Sequence, residues 1–298
     1  MSHTIELLRP QQWMKNIFIF AALVFSKNLF HPEFIFTSFI AFISFCLISS
    51  AVYIVNDIAD VELDRLHPTK KNRPIASGKI STRKAYFIAL STIILCGLLL
   101  IRLNAWFIFI ILLYFWMNLL YSFWLKRVAL VDIFIIATGF MLRVLAGAVV
   151  IEVTISHWLV LCTLFVSIFL ALSKRRGEIV IAGSYPNYIG REVLKGYPLE
   201  LIDQFLTISG AGMAISYALY TVAERTVTTF HTENLIFTTV FVLFGIFRYM
   251  IIMKTKTSDD NPTSIILSDK VLLITVLFWF LTCVFIIYSK EIFSVMKI

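Results

Sequence analysis

The sequence predicts an all-α integral membrane protein, and three observations carry that expectation. The 298 residues are 59% hydrophobic and only 15% charged, with a mean hydropathy of +0.88. Soluble domains are about half apolar and about a quarter charged. Apolar runs of spanning length follow one another with short gaps, and the basic residues crowd every second gap.

The runs lie at roughly 13–30, 34–56, 84–101, 104–124, 131–151, 155–173, 201–222, 234–253 and 271–289. Each is close to the ~20 residues that carry a helix across the hydrocarbon core. This reading gives about nine transmembrane helices in a single domain over residues 1–298, because the runs leave no room for a soluble one. The first run is interrupted by Lys27. It lacks the charged, apolar, small-residue pattern of a removable leader and is expected to remain as the first helix. With the N-terminus inside, twenty of the 26 Lys and Arg residues fall on inner segments, five on outer ones, and Arg143 within a span. That bias predicts a multi-pass protein of the inner (cytoplasmic) membrane, with the N-terminus cytoplasmic and the C-terminus external. It also accounts for most of the net charge of +8, which faces anionic lipid head groups, so no nucleic acid is expected. Cys46, Cys96, Cys162 and Cys283 sit in separate spans and read as small buried hydrophobes.

Unusual polarity gathers in the inner loops, which suggests one chamber open to the cytoplasm. At ~100° per residue, Asn56, Asp57, Asp60 and Asp64 fall within about one quadrant of a helix, with Glu62 pointing away. Carboxylates at the mouth of a membrane helix are unfavourable unless something cationic is held there. Mg²⁺ carrying a phosphorylated substrate is the natural candidate. Pro68 and Pro74 then forbid a continuous helix, leaving a loop that carries Lys70, Lys71 and Arg73. These cations suit phosphate oxygens beside the metal; alone, they could simply enforce topology.

Asp132 and Arg143 are eleven residues apart, about three turns, and share a face with Gly139, Ala146 and Gly147. An Arg at membrane depth costs ~2.5–3.5 kcal/mol on the insertion scale. It is therefore expected to be functional or paired, Asp132 being the partner available on its own helix. Lys174, Arg175 and Glu178 stand where the sixth run meets the cytoplasm and read as a phosphate clamp or as a topology signal. Lys15 and Asn16 at the start of the first run, and Tyr121 and Lys126 in a later inner turn, are further candidates for substrate contact. Trp13 and Lys15 also suit an interfacial anchor and its snorkelling flank. Arg248 and the Asp269-Lys270 pair are placed at the cytoplasmic mouth, and His67 is read as a loop residue rather than a general base.

These residues carry a resemblance. Asn56-Asp-x-x-Asp60-x-x-x-Asp64 followed by Arg73-Pro-Ile-Ala-Ser-Gly78 resembles the first aspartate-rich motif of the UbiA prenyltransferase superfamily. Arg9-Pro-x-Gln-x-x-Lys15-Asn16, His67-Pro-Thr-Lys70, Tyr121-Ser-x-x-Leu-Lys126, Asp132 with Gly139-Phe-x-x-Arg143-x-x-Ala-Gly147, and Lys174-Arg-x-x-Glu178 are similar to the decaprenyl-phosphate phosphoribosyltransferase branch. Weaker similarity continues through Phe247-Arg-Tyr249 and Asp260–Asp269.

The resemblance implies a UbiA-type bundle with a cytoplasm-facing polar chamber. It implies Mg²⁺ on Asp57, Asp60 and Asp64, phosphoribosyl pyrophosphate as donor, and a long polyprenyl phosphate as acceptor. Superfamily members usually carry a second aspartate-rich motif after the sixth span. Here Lys174-Arg-Arg-Gly-Glu178 stands in that place, and no aspartate follows before Glu200. A prenyltransferase using a prenyl diphosphate, and a transporter or lipid-binding protein with no chemistry, are the rival readings.

Overall fold

The computed structural model describes residues 3–67, 69–184, 192–255 and 262–296. Pro68, Arg191, Lys256, Asp260 and Lys297, all used in the sequence reading, lie outside the described residues, as do the side chains of Lys195 and Lys290. The chain is helical: α1 (His3–Leu8), α2 (Phe20–Phe25), α3 (Pro32–Ala59), α4 (Val61–Leu66), α5 (Thr82–Leu100), α6 (Ala105–Phe123), α7 (Val131–Val150), α8 (His157–Ser184), α9 (Leu199–Val222), α10 (Glu224–Phe230), α11 (Thr239–Thr255), α12 (Pro262–Ser268) and α13 (Lys270–Met296). Short 3₁₀ helices occupy Lys70–Asn72, Leu125–Arg127, Glu192–Gly196 and Asn234–Thr238, and a longer one Pro10–Ile19.

Among the described residues, eight helices are long and apolar enough to cross a membrane: α3, α5, α6, α7, α8, α9, the Asn234–Thr255 unit and α13. The protein is therefore a multi-pass membrane protein. The first of the nine expected spans differs. It is no single α-helix but the 3₁₀ helix Pro10–Ile19 continued by α2. Side chains three apart eclipse in a 3₁₀ helix, so Trp13, Asn16 and Ile19 stand in one row. Trp13 Nε1 donates to Ser50 Oγ at 3.0 Å, Asn16 Nδ2 lies 3.3 Å from Ser49 Oγ, and Ile19 is fully buried. A 3₁₀ helix rises ~2.0 Å per residue against ~1.5 Å for an α-helix, so the two pieces cover about 29 Å, near the hydrocarbon thickness.

This first leg runs antiparallel to α3. Arg9 pairs with Asp57 at one end, and the Phe20 and Phe42 rings meet at 5.4 Å midway. At the far end Lys27 reaches Glu291 of α13 at 3.4 Å, and Tyr288 Oη accepts from Leu29 N and donates to Val24 O. The end of α13 thus lies on the face opposite Asp57.

Helix association in lipid rests on close packing rather than on the hydrophobic effect. α3 and α7 are central, with 61% of their spans buried against 22% for α5 and α13. Ile19, Phe45, Phe107, Tyr114 and Leu142 form the core where the first leg, α3, α6 and α7 meet. Gly147 is what allows that approach. A Cβ there would lie 2.0 Å from the Ile19 carbonyl oxygen, so any side chain would force the first leg away from α7. Asn104 joins the other end, its Nδ2 donating to Val149 O at 2.8 Å.

Candidate active site

The helical hydrogen bonding of α3 carries through a bend at Asp60 into α4: Asp60 N donates to Asn56 O, and Asp64 N to Asp60 O. The aspartates therefore stay on one face as expected. Asp57, Asp60 and Asp64 are 3%, 3% and 5% exposed, while Glu62 is exposed and pairs with Arg65.

Each buried carboxylate meets a cation from a different part of the chain. Asp57 accepts from Arg9 and, at 3.0 Å, from Arg73. Arg73 Nη1 also donates to Asp64 at 2.6 Å, so one guanidinium bridges two aspartates. Lys126 Nζ lies 2.5 Å from Asp60, which also accepts from Asn56 Nδ2 at 3.3 Å. At Asp64, burial pushes the carboxyl pKa up, and the Arg73 guanidinium opposes that.

The donor set fits Mg²⁺. Three carboxylates and an amide oxygen are hard ligands, and Asn56 Oδ1 is buried without a hydrogen-bond partner. Among the described residues, no three acidic, His or Cys side chains converge into a ready-made cage. The expected three-aspartate ligand set is thus not preassembled. Mg²⁺ commonly takes one or two carboxylates and completes its shell with water and substrate phosphates.

A second charged group adjoins the first. Arg175 is fully buried and donates to Asp132, to Glu178 and, at 2.9 Å, to Tyr121 Oη. Lys70 Nζ lies 3.6 Å from Glu178, which ties the basic loop to α8. Asp132 also accepts from Tyr197 Oη at 2.6 Å. The expectation that Arg175 clamps phosphate meets a guanidinium already committed to two carboxylates. The same pairing places Asp132 and Glu178 around Arg175.

Asp132 and Arg143 do not meet. They share a face, but eleven residues of helix separate them by about 16 Å along the axis. Arg143 instead donates to Asn16 Oδ1 at 2.7 Å, Gly139 O at 2.6 Å and Tyr114 Oη at 2.9 Å, with Phe45, Tyr114 and Phe140 rings around it. Hydrogen bonds to a charged group contribute about 1.5–3 kcal/mol each, which offsets the insertion cost without a carboxylate. Lys15 is half-buried close to Arg9, Arg143 and Tyr121. Lys174 is half-buried and Lys71 exposed. His67 is buried, with Nδ1 accepting from the backbone N–H of Thr69 and Lys70. Arg248 pairs with Asp269, which caps the start of α13 through Leu272 N. Arg9, Tyr114 and Tyr197 are the participants that spacing alone did not mark, since their partners lie 48, 29 and 65 residues away.

A helical membrane bundle with carboxylates and cations gathered at one end suits a membrane-embedded transferase. The chain belongs to the UbiA prenyltransferase family, which it matches over residues 16–178. It is 33% identical over 294 residues to a decaprenyl-phosphate phosphoribosyltransferase of Corynebacterium glutamicum, covering 97% of this chain and 88% of that one. It is 31% identical over 288 residues to the protein of the same name in Mycolicibacterium smegmatis, covering 93% and 90%. A UbiA homologue of Archaeoglobus fulgidus, solved bound to GPP and Mg²⁺, shares the fold with a TM-score of 0.73 at 18% identity, over 97% of this chain and 100% of that one.

Proposed function

We propose that the protein transfers 5-phosphoribose from phosphoribosyl pyrophosphate to a long polyprenyl phosphate, giving polyprenyl-phosphoryl-5-phosphoribose and diphosphate. The observation that carries this reading is the 33% identity, over nearly the whole chain, to the C. glutamicum phosphoribosyltransferase. The chamber agrees with it: four cations, Arg9, Arg73, Lys126 and Lys70, stand among buried carboxylates at one end of the bundle.

In this reaction an oxygen of the lipid phosphate attacks the anomeric carbon, and the bond from that carbon to diphosphate breaks through an oxocarbenium-like transition state. Mg²⁺, when bound, neutralises charge on the departing diphosphate. Asp57, Asp60, Asp64 and Asn56 Oδ1 are the groups that would hold it. Arg9 and Arg73 lie against those carboxylates but, unlike the fully buried Arg175, keep part of the side chain exposed, and with Lys126 beside them they would supply donors to phosphate oxygens. Lys15, Lys70, Lys71 and Lys174 supply further positive charge. The acceptor phosphate is already anionic, so no strong general base is required. The chamber faces the cytoplasm in this reading, with the N-terminus inside, the C-terminus outside and the isoprenoid chain held in the bilayer of the inner membrane.

Product identity tests the proposal. Purified protein is offered phosphoribosyl pyrophosphate with polyprenyl phosphate, and separately a prenyl diphosphate with an aromatic acceptor. A phosphoribosylated lipid in the first mixture supports the reading. A prenylated acceptor in the second, with nothing in the first, replaces it.

A further inference from the structure

The turn between α6 and α7 carries Lys126 to Asp60, and beyond its 3₁₀ helix Leu125–Arg127 it is exposed up to a strained residue before α7. Arg127, Val128, Ala129 and Leu130 are all exposed, whereas Lys126 is 8% exposed. Leu130, the residue before α7, has φ 66° and ψ −44°, a conformation that a side-chain-bearing residue keeps only when its surroundings hold it.

What holds it comes from the segment after α8. Tyr197, 3% exposed, accepts the Leu130 N–H at 2.5 Å and donates to Asp132 Oδ1 at 2.6 Å. One residue earlier, the backbone of Gly196 lies so close to the turn that a Cβ there would stand 3.2 Å from Ala129 Cβ. The segment ending at Tyr197 therefore touches two positions of the turn, Ala129 and Leu130, and Asp132 in the first turn of α7. The Asp132 carboxylate that receives the Tyr197 hydroxyl also receives Arg175, whose second carboxylate, Glu178, stands 3.6 Å from Lys70.

We propose that Tyr197 is a positioning residue for the chamber: its hydroxyl braces the α6–α7 turn, keeping Lys126 on Asp60. It acts through the turn and not by touching substrate. The inference concerns the same site as the proposed phosphoribosyl transfer and rests on that reading for its functional consequence.

The test uses Tyr197→Phe, which deletes the hydroxyl and keeps the ring in its place among Val193, Leu194 and Ile133. Two readouts are taken on the full-length protein in nanodiscs. Amide exchange is expected to rise about tenfold in the peptide covering 125–132 and to stay unchanged in the core of α3. Binding of magnesium phosphoribosyl pyrophosphate is expected to weaken about tenfold in the Lys126 background. In Lys126→Gln protein, Tyr197→Phe is expected to add less than about twofold, because both changes act on one ion pair. Unchanged exchange at 125–132, or a full tenfold effect that persists without Lys126, would overturn the proposal. Gly196→Ala, whose Cβ would stand 3.2 Å from Ala129 Cβ and so crowds the same contact, gives the same two readouts, with smaller changes, if Tyr197→Phe does not fold. Wild-type protein that binds no phosphoribosyl pyrophosphate would count against the proposed function, while the exchange measurement still decides the brace.

Discussion

Lys126 Nζ lies 2.5 Å from Asp60 Oδ1, and both side chains are almost completely buried. The pair joins the end of α3 to the turn between α6 and α7, so the acidic face and that turn form one object. Removing one partner of a buried ion pair leaves an uncompensated charge, which typically costs about 3–5 kcal/mol, whereas removing both costs far less. Lys126→Met is therefore expected to lower the unfolding midpoint in detergent by several degrees. Lys126→Met with Asp60→Leu is expected to recover much of that loss and to remain inactive. Equal destabilisation by the single and double variants would contradict the pairing.

Asp57 is contacted by both Arg9 and Arg73. Asp57→Asn keeps the shape and removes the charge that both guanidinium groups contact and that a bound metal would use. Turnover is expected to fall at least about 100-fold, the scale seen when metal sites lose supporting groups, with the helical signal of the folded protein retained. Turnover near the wild-type rate at ordinary Mg²⁺ concentration would remove Asp57 from the site.

Arg175 and Lys71 separate two kinds of basic residue. Arg175 is enclosed by Asp132, Glu178 and Tyr121, so Arg175→Ala is expected to cost about 3–5 kcal/mol of stability and to reduce the yield of folded protein. Lys71 is exposed, and Lys71→Ala is expected to leave stability within about 0.5 kcal/mol. Thermal unfolding of the two variants side by side checks both expectations. An Arg175→Ala protein as stable as wild type, with weakened substrate binding only, would return Arg175 to the role of a phosphate clamp.

Gly147 sets the distance between α7 and the first leg. Gly147→Ala places a methyl group against the Ile19 carbonyl, and overpacking of this kind typically costs about 1–3 kcal/mol. The same shift moves Asn16 away from Arg143, so the unfolding midpoint and substrate affinity are expected to fall together. A variant unchanged in both would show that the first leg is not seated as described.

The features legible in the sequence are those with a local period. Asp57, Asp60 and Asp64 recur at helical spacing, and their burial on one face with Glu62 outside followed from that spacing alone. The apolar runs located eight long helices for the same reason. The first leg was anticipated in place but not in form, because Trp13, Asn16 and Ile19 recur every three residues and a helical reading assumes 3.6. Pairings between distant segments carry no such signal. Arg143 shares a face with Asp132, the partner its own helix offers, yet its partners Asn16 and Tyr114 come from other elements. Asp132 finds Arg175 and Tyr197 instead. Lys126 stands out in the sequence by its place in a basic turn, but its contact with Asp60, 66 residues away, is a property of the fold.

The most direct test of the central claim follows the ribose. Purified protein in detergent or nanodiscs is incubated with Mg²⁺, polyprenyl phosphate and phosphoribosyl pyrophosphate labelled in the ribose, and label is counted in the lipid-extractable phase. The expected result is transfer that requires both Mg²⁺ and the lipid phosphate, releases diphosphate in equal amount, and is lost in Asp57→Asn. No label in lipid from folded protein, across several polyprenyl chain lengths, would contradict the account.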